Sequence, residues 1–224
     1  MYDNIIFVPY RNRQEHFDIF LKEAVPLFIK YLGKCKIVII EQNEGKEFNR
    51  GMLLNIGFKE YINQSQFFFH HDIDIIPKES TINSIYNIND FDIVRIINSH
   101  DKSLGGIIKF TNDAFIRMNG FPNYIWGWGI EDRILFYRSQ IVCLNVSDNL
   151  TNKSNFKLLH HPSSAVPYTG DKEAMNKLEK YIYEFGTFHE KNLQIKKSGI
   201  SNLKYKIINK KNINDHVEII KVDI

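Results

Sequence analysis

Ser65-Gln66-Phe67-Phe68-Phe69-His70-His71-Asp72-Ile73-Asp74 is an aromatic, apolar run that ends on two carboxylates one residue apart. The run reads as a strand at 65–71. Upstream, 4–9 (Asn-Ile-Ile-Phe-Val-Pro) reads as a first strand ending at Pro9. Residues 14–31 read as a helix, with Phe17, Phe20, Leu21, Ala24, Val25 and Phe28 at helical spacing and Pro26 as a kink. A buried strand at 36–41 and a second helix at 48–62 follow. Strand, helix, strand, helix, strand in this order makes an α/β domain with a parallel sheet and helices on both faces. Ligands of such sheets lie beyond the carboxyl ends of the strands. Residues 10–13, 43–50 and 72–74 therefore converge on one edge.

Further along, the pattern predicts short strands at 93–97 and 106–110, helices at 112–118 and 131–139, a strand at 141–145 and a helix at 172–183. Residues 203–208 and 217–222 read as a terminal strand pair. With 224 residues, hydrophobics at 43% and no linker, a single domain spanning 1–224 is expected. The balance of 29 basic to 26 acidic residues gives a net charge of +3, without a run resembling a nucleic-acid arm. Lys196, Lys197, Lys210 and Lys211 read as a solvated face, with loose attraction to an anionic membrane surface as the alternative. Cys35 and Cys143 each sit in an apolar strand-like run, which predicts buried free thiols and no disulfide framework. Neither a leader nor a stretch long enough for a membrane span is visible, so a soluble, cytoplasmic protein is expected.

Three groups carry chemistry. Asp72 and Asp74, at the end of a Phe-rich strand, are hard oxygen ligands suited to Mn²⁺ or Mg²⁺, although acid-x-acid also occurs as a solvated turn. An imidazole from His160-His161 is a natural third ligand for Mn²⁺. His70 and His71 are expected in packing or supporting roles, with strand alternation sending one into the core. Second, Arg11, Arg13 and Arg50 offer fixed positive charge for phosphates, with Phe48 available to pack on a base. Gly105-Gly106 permits either close approach of a ligand or a bulge. Third, Phe121-Pro122-Asn123-Tyr124-Ile125-Trp126-Gly127-Trp128-Gly129-Ile130-Glu131-Asp132 sets two tryptophans in a glycine-hinged loop before two carboxylates. Indole faces stack on sugars, glycines let the loop close, and a carboxylate there can take a proton from a hydroxyl.

Together the segments at 7–16, 48–58, 72–77 and 119–132 resemble the β-1,4-galactosyltransferase family, in family order and at compatible spacing. The resemblance implies a GT-A-like, Rossmann-type mixed sheet, with a nucleotide-binding part at about 1–110 and an acceptor and catalytic part at about 111–224. It implies an inverting transfer of a sugar from a UDP donor, with Mn²⁺ or, alternatively, Mg²⁺. By that resemblance Pro9, Tyr10, Arg11, Arg13, Phe48, Arg50, Asp72, Ile73, Gly106 and Trp128 hold the donor. Asp74 and His161 hold the metal, with His160 as the alternative to His161. Glu131 contacts sugar, Asp132 is the catalytic base, and Trp128, Asp132 and Arg133 face the acceptor.

Three departures shape the expected substrates. Arg133 stands where relatives carry an acid that helps bind GlcNAc, which implies another acceptor, such as an anionic or differently substituted sugar. Leu158 replaces a methionine that often precedes the metal histidine. Ser103 replaces a bulky tyrosine of galactose-selective relatives, so UDP-GalNAc rivals UDP-Gal as donor. The partners implied are that donor and an oligosaccharide or lipid-linked sugar acceptor, in bacterial surface-polysaccharide synthesis at the inner face of the membrane. Two other readings compete: an inactive nucleotide-sugar or glycan-binding module, and a metal-dependent hydrolase or nucleotidyl transferase.

Overall fold

The computed structural model describes residues 1–98, 101–127, 130–160 and 195–224. Strands β1 (Tyr2–Tyr10), β2 (Cys35–Gln42) and β3 (Ser65–His71) run parallel with β1 in the middle. β1 and β2 each carry six consecutive buried residues, the pattern of strands covered on both faces. Pairing of Tyr10 with Glu41, and of Phe7 with His70, brings the carboxyl ends of all three strands to one edge.

β4 (Ile75–Pro77) follows β3, then a single turn, α4 (Glu79–Thr81). β5 (Ile93–Ile97) and β6 (Ile107–Thr111) extend the sheet antiparallel beyond β3. β7 (Phe156–Leu158) pairs with β4 in a separate small ribbon. β8 (Lys206–Asn212) and β9 (Val217–Asp223) complete the other side, β9 parallel to β2. Among the described residues the main sheet has seven strands, in the order β5-β6-β3-β1-β2-β9-β8.

One face packs Phe7, Ile40 and Phe68 with Leu53 and Phe58 of α3 (Arg50–Tyr61) and Phe115 of α5 (Asn112–Met118). Gly57 lets α3 lie close, since a Cβ there would meet Phe7 Cδ1 at 2.8 Å. The other face packs Ile6, Ile39 and Phe69 with Phe17 of α1 (Gln14–Ile19), Phe20, and Phe28 of α2 (Val25–Tyr31). The mixed α/β sheet with helices on both faces is thus as expected.

Several local features differ. Residues 14–31 are helical but broken by a π-helical turn, Phe20–Ala24, with Pro26 in the first turn of α2. Proline lacks an N–H and crowds the preceding turn, so the ladder widens upstream of it. Pro9 does not end β1 but pairs within it, opposite Ile40. α3 starts at Arg50, because Asn49 caps it by accepting the Met52 N–H at 2.9 Å.

The strand expected at 141–145 is absent. Ile141 ends α6 (Glu131–Ile141), and the chain wraps its C-terminus, with Val142 N–H on Arg138 O (3.1 Å) and Leu144 N–H on Ser139 O (3.0 Å). Cys143, at φ 53°, is exposed rather than buried, whereas Cys35 is buried in β2. β8 begins at Lys206, later than expected. The helix expected at 172–183 lies outside the described residues. Among these no helix is long and apolar enough to cross a membrane.

His70 and His71 are both fully buried, on opposite faces. His70 packs among Phe110, Phe115 and Phe121, and His71 against Phe20 and Phe28. Alternation does send them to opposite faces, but here both faces are core. Burial pulls both imidazoles down, His71 to about 3, which leaves them neutral packing groups.

Candidate active site

The site lies beyond the carboxyl ends of β1, β2 and β3 and is built around Arg50. Gln42, the last residue of β2, ties the following loop back by donating to Glu47 O (2.7 Å) and accepting the Asn49 N–H (2.8 Å). Asn49 then caps α3, which fixes where Arg50 leaves the helix. Arg50 Nε donates to Asp72 Oδ1 at 2.8 Å, and Nη2 lies 2.7 Å from the same oxygen. Nη1 is 3.8 Å from Glu131 Oε1, and the guanidinium lies over the Phe121 ring at 5.9 Å.

One cation therefore sits between the acid that follows β3 and the acid that starts α6. Burial opposes the Arg50 charge, yet Asp72 and Glu131 outweigh it and raise its pKa. Burial pushes the Asp72 carboxyl up, with Arg50 opposing. Burial, and then the charge of Asp132, push Glu131 up to about 7. Arg50 Nη1 and Glu131 Oε2 are buried without a hydrogen-bond partner. Buried donors and acceptors in that state are poised for a polar ligand.

Asp132 is gripped on several sides. Ser103 Oγ is 2.8 Å from Oδ2, the Arg133 N–H donates to Oδ1 at 2.7 Å, and the Leu104 N–H donates to the Asp132 carbonyl at 3.0 Å. Gly105 completes the cradle, since a Cβ there would stand 2.8 Å from Oδ2. Gly106, at φ 68°, bends the chain just before β6, with its carbonyl accepting the Asp72 N–H at 3.3 Å. A side chain at Gly106 would meet Ile97 O. The two glycines thus serve different ends, one making room for a carboxylate and one setting the turn.

Gly105→Ala is expected to leave the fold intact, because the clash falls on a side-chain tip, and to displace the Asp132 carboxylate. Misplacement on the order of 1 Å costs about 10²-fold in turnover. Turnover beside a thermal melt checks this, and full turnover in the alanine variant would show that the cradle is slack.

Asp74 stands 3.5 Å from Arg13 Nη1. Its carbonyl accepts the Leu159 N–H at 2.8 Å, so the segment entering His160-His161 runs alongside it. The His160 side chain is exposed, and its carbonyl lies 3.2 Å from His16 Nε2. Among the described residues no three His, Cys, Asp or Glu side chains are grouped to hold a metal. His161 and Trp128 lie outside the described residues. Asp74 with an imidazole from the neighbouring segment fits a divalent cation in donor chemistry and in chain proximity.

At the β1 end, Arg11 lies over the Phe48 ring at 5.3 Å and donates to Lys46 O at 2.5 Å. Tyr10 packs on Phe17 at 5.2 Å. Pro9 and Ile73 are buried, so those two offer only backbone to a ligand. Arg133 is half-buried at the start of α6.

The loop before Trp128 is anchored by residues the sequence did not flag. Asn55 brackets Phe121, accepting its N–H and donating to its carbonyl, both at 2.8 Å. The buried Arg138 donates to Gly120 O (2.6 Å) and Ser198 O (2.8 Å). The Gly127 N–H donates to Phe48 O at 2.8 Å. A polar Asn inside an otherwise apolar helix was the available signal for Asn55. Ser103 and Asn98 gave none beyond side-chain size.

The sequence profile for the N-terminal region of glycosyl transferase group 7 matches residues 2–88, and that for the N-terminal domain of galactosyltransferase matches 89–162. Human β-1,4-galactosyltransferase 6 is 31% identical over 176 residues, covering 74% of this chain and 46% of that protein. Human β-1,4-galactosyltransferase 4 is 30% identical over 175 residues, covering 70% of this chain and 48% of that protein. The chain thus spans about half the length of these curated relatives. Among solved structures, a mutant of Drosophila β1,4-galactosyltransferase 7 in complex with manganese, UDP-Gal and xylobiose superposes with a TM-score of 0.77 at 22% identity. That match covers 100% of this chain and 94% of that one, and the shared fold is the GT-A fold. Consecutive matches across residues 2–162 and the ordered motifs of the cleft leave one assignment: the chain belongs to the glycosyl transferase group 7 family, with the β-1,4-galactosyltransferases as relatives.

Proposed function

We propose that the protein is a metal-dependent inverting glycosyltransferase that moves galactose or N-acetylgalactosamine from a UDP donor to a sugar acceptor with β linkage. The observation that carries this reading is the Asp132 cradle beside the Asp72–Arg50–Glu131 bridge, a held base next to unpartnered polar groups on the ligand edge of a GT-A sheet.

Pro9, Tyr10, Arg11, Arg13, Phe48, Arg50, Asp72, Ile73, Gly106 and Trp128 form the donor site in this reading. Arg11 and Arg13 meet the phosphates, Phe48 packs on the base, and Asp72 and Glu131 accept hydrogen bonds from the sugar's hydroxyls. Asp74 and His161, or His160, hold Mn²⁺ or Mg²⁺, which when bound neutralises charge on the departing diphosphate. Asp132 takes the acceptor's hydroxyl proton as that oxygen attacks the anomeric carbon and the bond to UDP breaks. Trp128 closes over both sugars, and Arg133 faces the acceptor, where its charge suits an anionic sugar. Ser103 turns its small side chain toward Asp132, which supports room for an N-acetyl group on the donor. Residues at about 1–110 make the nucleotide-binding part and those at about 111–224 the acceptor and catalytic part, within one domain.

The setting we propose is bacterial surface-polysaccharide synthesis at the inner face of the membrane. Exposed Lys196, Lys197 and Lys211 support loose attraction to an anionic surface there, whereas Lys210 is paired with Glu60 at 2.8 Å.

UDP release from a panel of UDP-sugars with Mn²⁺ tests the activity. Release from UDP-Gal or UDP-GalNAc, abolished by EDTA and lowered at least tenfold in Asp74→Ala, is expected. The same release in Asp74→Ala removes Asp74 from the metal site. No release from any donor, with UDP binding intact by calorimetry, favours the binding module.

A further inference from the structure

The Asp132 cradle contains a hydroxyl with two claims on its single proton. Ser103 Oγ is fully buried and stands 2.8 Å from Asp132 Oδ2 and 2.8 Å from Asn98 Oδ1. Both neighbours are acceptors, and a serine hydroxyl donates only once. The Asn98 amide cannot turn to relieve this, because its nitrogen donates to the Ser103 carbonyl and so keeps its oxygen on the hydroxyl.

The charge on Asp132 decides which claim wins. An ionised carboxylate is the stronger acceptor and takes the Ser103 hydrogen bond. Once Asp132 has taken a proton, its carboxyl is a weaker acceptor, and the hydroxyl turns to Asn98 Oδ1 with a lone pair toward the carboxyl group. We propose that Ser103, backed by Asn98, is a positioning residue for Asp132: it aims the carboxylate at the acceptor before proton transfer and follows the change in charge afterwards. This rests on the reading of Asp132 as the base. In the step served, the acceptor O–H bond breaks and its proton goes to Asp132. The oxygen's electron pair forms the new glycosidic bond, and the old bond's pair leaves with UDP. Ser103 gives up no proton and only rotates.

The test follows UDP release from UDP-galactose or UDP-N-acetylgalactosamine with Mn²⁺ and either glucuronic acid or N-acetylglucosamine, so that transfer to sugar and to competing water are both counted. Ser103→Ala is expected to lower kcat about tenfold, the size of a hydrogen bond to a charged group, with donor KM and calorimetric UDP affinity within twofold of wild type. Unchanged UDP affinity also reports an intact fold. Ser103→Thr, which keeps the hydroxyl, is expected to regain most of the rate, and Ser103→Val, of the same shape without it, to stay low.

Asp132→Asn separates this inference from the one beneath it. With no base to aim, adding Ser103→Ala to Asp132→Asn is expected to cost nothing further, whereas a merely structural serine would lower both backgrounds alike. Full kcat in Ser103→Ala, equal rates in the Thr and Val variants, or additive losses in the double variant overturns the positioning role while leaving Asp132 as base. Wild-type turnover in Asp132→Asn overturns the parent reading itself.

Discussion

Asp132→Asn is expected to bind UDP as tightly as the wild type and to transfer sugar about 10³-fold more slowly, within the range that a general base contributes. The cradle accommodates the amide. Its oxygen still accepts the Arg133 N–H, and its nitrogen donates to Ser103 Oγ, whose proton then belongs to Asn98. What disappears is the basic lone pair, so the loss falls on kcat rather than on assembly of the donor site. Turnover measured beside a calorimetric UDP titration checks both halves. Wild-type transfer in the variant removes Asp132 from the base role, and lost UDP binding points to a structural fault instead.

Arg50→Met is expected to cost about 3–5 kcal/mol of stability at pH 8, the range for stripping one partner from a buried ion pair. Methionine restores most of the bulk but leaves Asp72 and Glu131 facing each other without their cation. The pH dependence gives the test its sign. Burial, and then Asp132, already hold Glu131 up at about 7, and burial raises Asp72 too, so the fold retains protons that the unfolded chain has released. Stability from such groups is fully present below the unfolded carboxylate values and is lost as pH rises through the folded ones. Without Arg50 both values climb further and the window extends upward. The deficit against wild type is therefore expected to be small near pH 5 and largest near pH 8, as urea denaturation at the two values would show. An equal deficit at both would mean that packing on Phe121, and not charge, is what Arg50 supplies.

What could be read from the residues followed from how locally each feature is determined. The strands at 65–71 and 93–97 and the helix at 112–118 were legible to the residue, because aromatic and β-branched runs and a Thr cap are local signals. Asp72, Asp74 and Arg50 were legible as candidates because the strand order alone puts them on one edge. Ile141-Val142-Cys143-Leu144 misled because four apolar residues suit a strand or a buried helix end equally, and the choice was made by the carbonyls of Arg138 and Ser139. β4 and β7 are three residues each and exist only through their mutual pairing across 79 or more positions, which no local pattern encodes. The contact of Ser103 with Asp132 was hidden for the same reason, since it joins two segments through a tertiary fit.

β2 takes β1 on one side and β9 on the other, and the partner on the second side is Val217–Asp223. During synthesis the open side of β2 therefore presents unpaired amides and carbonyls until β9 has left the ribosome, about 9–35 s later at roughly 5–20 residues per second. An exposed strand edge of that kind invites pairing with other chains. The cleft, whose Gln42 sits on this same strand, thus gains its final support late, after residues 1–98 with their part of the site are already made.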